Sequence, residues 1–408
     1  MHVRIIDYVG NLGGGVRFAV EMLRAMVELQ PTFSFELISH GDAYQRYFEI
    51  LGGLYSNLSI RDVSPQSSWR NKRSLAKFPF PGRKLAKRLL GGITKWHFEI
   101  PGNLFDDCDI LWFPWIHWHR IPGNKAAKVI GSYHDSILLQ FQIGLLQARV
   151  ENERRTVRNW LDTNAIIVVS SQTTTSTLKE LFGVETNRFK VIPLSGEHRL
   201  APQNVELSTV WKWTQNNYLI YAANTSPHKN HELLFDAFKL WGEVHPLVLT
   251  GDGTDLKETT RGEILRKYAE DLMIDIDKTL IPLGYVSSEI YDSLIERAWA
   301  VVMCSLAEGG GSFPVWEAML RGIPVVCADI PIMREHLQRT GGEVIWFDPN
   351  DKYDLASKLE YLNANYAAMK VRAERQRGHL VQRSWKDVAN EYLSIINERR
   401  ENRHREQS

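Results

Sequence analysis

The sequence predicts an α/β fold of two Rossmann-like domains, and three observations carry that expectation. The chain has 408 residues, 44% of them hydrophobic, which is enough for two cores, since a single core seldom grows beyond about 250 residues. Apolar runs of strand length recur in both halves, each leading into a segment with apolar residues at helical spacing. Between the two series, Glu197 to Asn217 has few strand-like runs and reads as a linker. Such alternation implies parallel sheets covered on both faces, with ligands at the carboxyl ends of the strands.

The first half opens on a buried strand, Val3 to Tyr8, a glycine turn from Asn11 to Gly15, and a helix with Val16, Ala19, Val20, Leu23 and Val27 on one face. Further strands are expected at Phe33 to Ser39, Asp109 to Phe113 and Lys128 to Tyr133. Ala165 to Val169 leads into Ser170, a cap for the helix through Leu181, and Phe189 to Pro193 closes this half. In the second half Tyr218 to Ala222 precedes a helix bearing Leu233, Leu234, Phe238 and Trp241. Leu247 to Thr250 ends in Gly251-Asp252-Gly253, which reads as a tight turn. Thr279 to Leu283 and Ala300 to Cys304 follow. The polar tail Glu398 to Ser408 reads as a frayed helix end.

Charge is balanced, 49 lysines and arginines against 48 acids, so a charged partner surface must be local. One such surface lies between Asp62 and Glu99, a stretch without acids that holds Arg83, Lys84, Lys87 and Arg88 beside Leu85 and Leu89. Residues 69–96 fit either a basic amphipathic segment on an anionic membrane or a solvated charged loop, and no nucleic-acid-binding module surrounds them. Cys108, Cys304 and Cys327 lack paired spacing and read as free thiols in a reducing compartment. No signal peptide and no apolar run of about 18 residues is evident, so a cytoplasmic location is expected, peripheral to the membrane if the basic segment binds it.

The chemistry concentrates in Glu308-Gly309-Gly310-Gly311-Ser312-Phe313-Pro314-Val315-Trp316-Glu317. Consecutive glycines let backbone N–H groups converge on an anion, and Pro314 suits the first turn of a helix whose positive end points the same way. The flanking carboxylates can accept hydrogen bonds from hydroxyls, Glu317 from a ribose and Glu308 from a sugar, which together describe a nucleotide-sugar site. The plainer reading is a glycine-rich turn with one solvated acid and one helix-dipole acid.

These residues resemble the GT4-type retaining glycosyltransferases of the GT-B fold (glycosyl transferases group 1). The match is close at Pro314, Glu317, Ala318, Gly322, Pro324 and Val325, while eight residues rather than the usual seven separate the two glutamates. The run Asn224-Thr-Ser226-Pro227-His228-Lys229-Asn230 opens a helix, with Ser226 and Pro227 at cap and first-turn positions and Lys229 expected in the first turn; it resembles the family's phosphate-binding segment, with Asn224 where an arginine is usual. Tyr285 and Val286 match a segment lining the base, Gly13, Gly14 and Gly15 a loop near the donor phosphates, and His134-Asp135 the pair beside the transferred sugar. Ser384-Trp385 through Tyr392 matches the closing helix.

The resemblance implies an acceptor domain at residues 1–196 and a donor domain at 197–383, facing each other across a cleft, with a helix at 384–408 returning to the first. It implies transfer of a hexose-type sugar from a nucleoside-diphosphate sugar to a glycan or lipid-linked glycan, with retention, in cell-surface polysaccharide or lipopolysaccharide synthesis. His134 and Glu308 are then the catalytic candidates. Donor contacts fall to Gly14, Gly15, Asn224, Lys229, Tyr285, Val286, Gly309, Gly310, Gly311, Ser312, Phe313 and Glu317. Trp115, His117, Trp118 and His119, with Trp112 nearby, offer an aromatic acceptor surface, although core packing competes for at least one tryptophan. No cofactor or metal is expected, because His117 and His119 lack a third ligand and Asp275-Ile-Asp277 lies in a polar connection. Two other readings stay open: a catalytically silent nucleotide-sugar-binding scaffold, and a nucleotide-sugar 2-epimerase on the same fold.

Overall fold

A computed structural model describes residues 1–9, 14–67, 97–140, 147–184, 188–197 and 217–407. The membrane candidates Arg83, Lys84, Lys87 and Arg88, Gly13, and most of the linker lie outside the described residues. The chain divides into two compact units, Met1–Ser195 with Arg383–Ser408, and Gly196–Gln382.

The first unit holds a seven-stranded sheet built from β1 (His2–Ile6), β2 (Ser34–Ser39), β3 (Leu58–Asp62), β6 (Ile110–Phe113), β8 (Val129–Tyr133), β9 (Ile166–Val169) and β10 (Phe189–Val191). Their order is β10-β9-β8-β6-β1-β2-β3, and every pairing is parallel. The short strands β4 (Gln66–Ser67), β5 (Phe98–Glu99) and β7 (His119–Arg120) form a small separate sheet. Buried runs such as Ile-Leu-Trp-Phe in β6 fit strands covered on both faces. The helix Trp385–Gln407 belongs to this unit; its Trp385 ring meets Phe18 edge-on, and the Tyr392 hydroxyl lies 2.9 Å from Ser132 Oγ.

The second unit holds β11 (Leu219–Ala222), β12 (Leu247–Thr250), β13 (Leu280–Pro282), β14 (Ala300–Met303), β15 (Val325–Ala328) and β16 (Ile345–Phe347), in the order β13-β12-β11-β14-β15-β16 and again all parallel. The order reverses direction between β11 and β14 here, and between β1 and β6 in the first unit. At such switch points the loops leaving the strand ends diverge to opposite faces and open a crevice for ligands.

Strand positions follow the sequence expectation within a residue or two at their ends. Three local expectations change. The cap of the helix Gln172–Phe182 is Ser171, whose side chain accepts from Thr174 N–H; Ser170 instead donates to the carbonyl of His134 at 3.0 Å. Lys229 is not in the first turn of an α-helix, because Pro227–Lys229 forms a 3-10 turn that Asn230 closes in the left-handed conformation (φ 58°) before the helix His231–Leu240 begins. The polar tail stays helical through Gln407.

Candidate functional site

In the second unit the two switch-point loops are tied together. Leu306 N–H donates to the carbonyl of His228 at 2.7 Å, and the Tyr221 hydroxyl, at the end of β11, donates to the carbonyl of Lys229 at 2.6 Å. These bonds set the Lys229 side chain beside the loop after β14, where its Nζ lies 2.5 Å from Glu308 Oε1. Both side chains are largely buried, 16% and 12% exposed, so solvent screens the pair only in part. The sequence places these two residues on different ligand groups; without a ligand they hold each other.

Gly309, Gly310 and Gly311 follow, and Ser312 precedes the helix Phe313–Leu320 without donating or accepting a side-chain cap bond. The first N–H groups of that helix therefore have no capping side chain from Ser312. Gly311 has φ 106°, and a Cβ there would stand 2.6 Å from Nδ1 of His336, so glycine is required on two counts. His336 is buried against Trp316 and accepts at Nδ1 from Arg339. Burial, then Arg339, lowers its pKa to about 3, so the ring under the glycine loop is neutral. Sequence reasoning missed His336, and no spacing signal marks it.

Glu317 is fully buried and accepts a 2.5 Å hydrogen bond from the Tyr291 hydroxyl, a tyrosine that no motif singles out. Asn224 is exposed, and its side-chain oxygen accepts from Ser226 N–H at 3.0 Å, shaping the approach to the 3-10 turn. Tyr285 is exposed at 67%, while Val286 packs against the edge of the core. Gly251 and Gly253 both adopt positive φ, in keeping with the tight-turn reading.

In the first unit the β1 and β6 loops also meet. A Cβ on Gly15 would lie 3.0 Å from Nε1 of Trp115, so the helix start packs tightly against the indole. Gly14 beside it is exposed. His134, just past β8, is buried between Phe18 at 4.2 Å and Trp115 at 5.0 Å, both edge-on. Among the described residues neither of its ring nitrogens has a hydrogen-bond partner. Burial, then His117, lowers its pKa to about 3, which leaves a neutral imidazole with unused donor and acceptor positions. Asp135 accepts from Ile137 N–H at 3.3 Å at the start of the short helix Ile137–Gln140.

The expected acceptor surface divides. Trp115, His117 and Trp118 are partly exposed, but His119 is fully buried among Tyr8, Phe98 and Phe113, accepts from Tyr8 N–H, and has its pKa lowered to about 4, chiefly by burial. His119 is a core residue rather than a ligand contact, because the Trp118 backbone takes a left-handed turn (φ 62°) into β7. Trp112 is also core, its indole N–H donating to Ser132 Oγ at 3.1 Å. His117 has a partner the sequence did not reveal: its Nδ1 lies 2.6 Å from Oε1 of the fully buried Glu153. Among the described residues no group of three or more His, Cys, Asp or Glu is arranged to hold a metal ion, and no helix is long and apolar enough to cross a membrane.

Residues 207–404 match the family model described as Glycosyl transferases group 1. A segment of 151 residues is 29% identical to the O-antigen chain mannosyltransferase RfbU of Salmonella typhimurium, covering 37% of this chain and 40% of the relative. Another of 242 residues is 23% identical to O-antigen chain mannosyltransferase B of Escherichia coli, covering 56% and 59%. The alignments thus span less than two thirds of either relative. Among solved structures, Anabaena Alr3699/HepE in complex with UDP-glucose superposes with a TM-score of 0.67 at 15% identity over 98% of this chain and 100% of the other. WaaG, a glycosyltransferase involved in lipopolysaccharide biosynthesis, does so with a TM-score of 0.65 at 12% identity over 97% and 99%. At those identities the superpositions speak for the fold alone. Residues 207–404 thus match the group 1 glycosyl transferases, and the chain shares the fold of solved GT-B glycosyltransferases.

Proposed function

We propose that this protein transfers a hexose-type sugar from a nucleoside-diphosphate sugar to a glycan or lipid-linked glycan acceptor, with retention of configuration, in the assembly of bacterial cell-surface polysaccharide or lipopolysaccharide. The observation that carries the reading is the convergence of Lys229, Glu308 and the glycine loop at the β11–β14 switch point. The relatives named as O-antigen chain mannosyltransferases and the UDP-glucose complex of a structure sharing the fold support the substrate class.

A diphosphate entering this site takes the Lys229 ammonium from Glu308 and gains the N–H groups of the glycine loop and of the Phe313 helix. Glu308, released, accepts from hydroxyls of the sugar. As the bond from the anomeric carbon to phosphate breaks, the added charge on the leaving diphosphate is met by the ammonium and the amides, so their contribution is largest in the transition state. The acceptor oxygen forms the new bond on the departing face, and its proton passes to the leaving phosphate. His134, neutral and without a partner among the described residues, hydrogen-bonds a sugar hydroxyl, and its carbonyl, held by Ser170, favours the positive charge developing at the sugar. Lys229 and the amides are proposed to neutralise the diphosphate without a metal ion, so activity is expected to survive EDTA.

A thermal-shift screen of nucleoside diphosphates and their sugars tests the donor assignment, since a ligand of the native state raises its melting temperature. Turnover with an acceptor extract then separates transfer from a silent scaffold, which binds without turnover, and from an epimerase, which converts the donor with no acceptor. The proposed peripheral attachment through residues 69–96 is read by co-sedimentation; equal recovery with anionic and neutral vesicles removes it.

A further inference from the structure

We propose that Glu153 is a positioning residue of an acceptor-sugar subsite, in which Trp115 is the face the sugar lies on and His117, held by Glu153, is the hydrogen-bond donor to one of its hydroxyls. The inference rests on the glycosyl-transfer reading and adds a subsite to it.

Glu153 lies on the helix Gln147–Leu161, far in sequence from the β6 loop, and is fully buried. A buried carboxylate is costly unless paired, and its pairing at 2.6 Å is to one nitrogen of a side chain that retains 15% of its surface. With Nδ1 committed, the Nε2–H edge is the outlet of the pair. Its neighbour is Trp115, whose ring lies 5.5 Å from that of His117 at 32° and touches His134 edge-on at 5.0 Å. A partly exposed indole beside an oriented N–H donor matches a sugar ring, which offers an apolar C–H face and hydroxyl acceptors at its rim.

The titratable groups facing His117 are Glu153 from its helix, Tyr133, His134 and Asp135 from the end of β8, and His119 two residues along. Burial opposes a charge on His117, but Glu153, with help from Asp135, outweighs it and raises the pKa to about 9. The ring is then a donor at both nitrogens throughout the neutral range.

The test is Glu153→Gln, which keeps the shape and removes the charge. Burial then outweighs what remains of the opposing charge, and the His117 pKa falls below its ordinary value. Binding of a panel of methyl glycosides (mannoside, glucoside, galactoside) is followed through the His117 ring signals by NMR, and nucleoside-diphosphate binding is measured in parallel. At least one glycoside is expected to bind the wild type with affinity flat between pH 6 and 8, and to bind Glu153→Gln about tenfold more weakly at pH 8 and still more weakly than wild type at pH 6. Nucleotide affinity should stay within about twofold, and Trp115→Leu should lose glycoside binding at both pH values. No glycoside shifting the His117 signals, or equal glycoside affinity of the two proteins at pH 8, would overturn the proposal. Because the readout is binding to the first unit's residues, a failure of transfer itself shows separately, as absent donor turnover with the subsite intact.

Discussion

At the two switch points the chain holds its reactive groups in opposite ways. In the second unit Lys229 and Glu308 are an ion pair of partly exposed side chains, which a charged ligand can exchange. In the first unit His134 is an uncharged ring packed between Phe18 and Trp115, with both nitrogens unused among the described residues. The contrast is what the proposed function asks for: an ion pair suits a diphosphate, which brings its own charge, while a desolvated neutral ring suits hydroxyls, which bring none. Within the first unit the same lesson recurs, since His117 and His134 flank one indole yet carry opposite protonation. Glu153 makes the difference.

Breaking the neutral side should have the largest effect. His134→Ala is expected to lower kcat by about 100-fold or more with donor affinity within about twofold, measured by steady-state kinetics and calorimetry. A parallel loss of donor binding would return His134 to a purely structural role. Next comes the loop that separates Glu308 from its helix. Gly311→Ala forces both a left-handed φ on alanine and a clash with His336, and should cost about 3 kcal/mol by denaturant titration. His336→Ala in the same chain should recover part of that loss, and no recovery would mean that the backbone angle alone matters.

Breaking the charged side should come third. Lys229→Ala is expected to weaken donor binding by about 2 kcal/mol, roughly 30-fold, with partial rescue by arginine. The smallest effect sharpens the comparison most: Glu308→Gln frees the ammonium, so a nucleoside diphosphate without sugar should bind several-fold tighter than it does to the wild type. Weaker binding would show that Glu308 orients Lys229 rather than competing for it.

The two protonation states also predict the pH dependence of stability. His134, His231 and His336 are held neutral to about pH 3, and His119 and His228 to about pH 4, each chiefly through burial. Their unfolded counterparts take up protons near pH 6.5, so stability should be full above that value and fall steadily on acidification toward pH 3. His117 has the opposite sign: its contribution is complete below about pH 6.5 and is lost as pH rises through about 9. Melting temperatures across pH 4 to 10 should show both arms, and Glu153→Gln should remove the alkaline one.

Much of this was legible in the sequence because strands such as Leu247–Thr250 are continuous apolar runs bounded by turn residues, and because glycines and prolines punctuate local backbone. Lys229, Glu308 and His134 stand out as candidates through motifs near strand ends. What the sequence hid depends on contacts between distant segments. Nothing local tells that Ser171 rather than Ser170 caps a helix, that Asn230 turns left-handed and separates the turn holding Lys229 from the α-helix that follows, or that one backbone twist at Trp118 sends His119 into the core while His117 stays partly exposed. Glu153, His336 and Tyr291 were invisible for the same reason: each matters only through a partner 25 or more residues away.

Calorimetric titration of nucleoside-diphosphate sugars into the wild type, Lys229→Ala and His134→Ala bears most directly on the central claim. One compound should bind the wild type in a single site, bind Lys229→Ala about 30-fold more weakly, and bind His134→Ala nearly as well as the wild type. Binding that is indifferent to Lys229, or no binding by any member of the series, would contradict it.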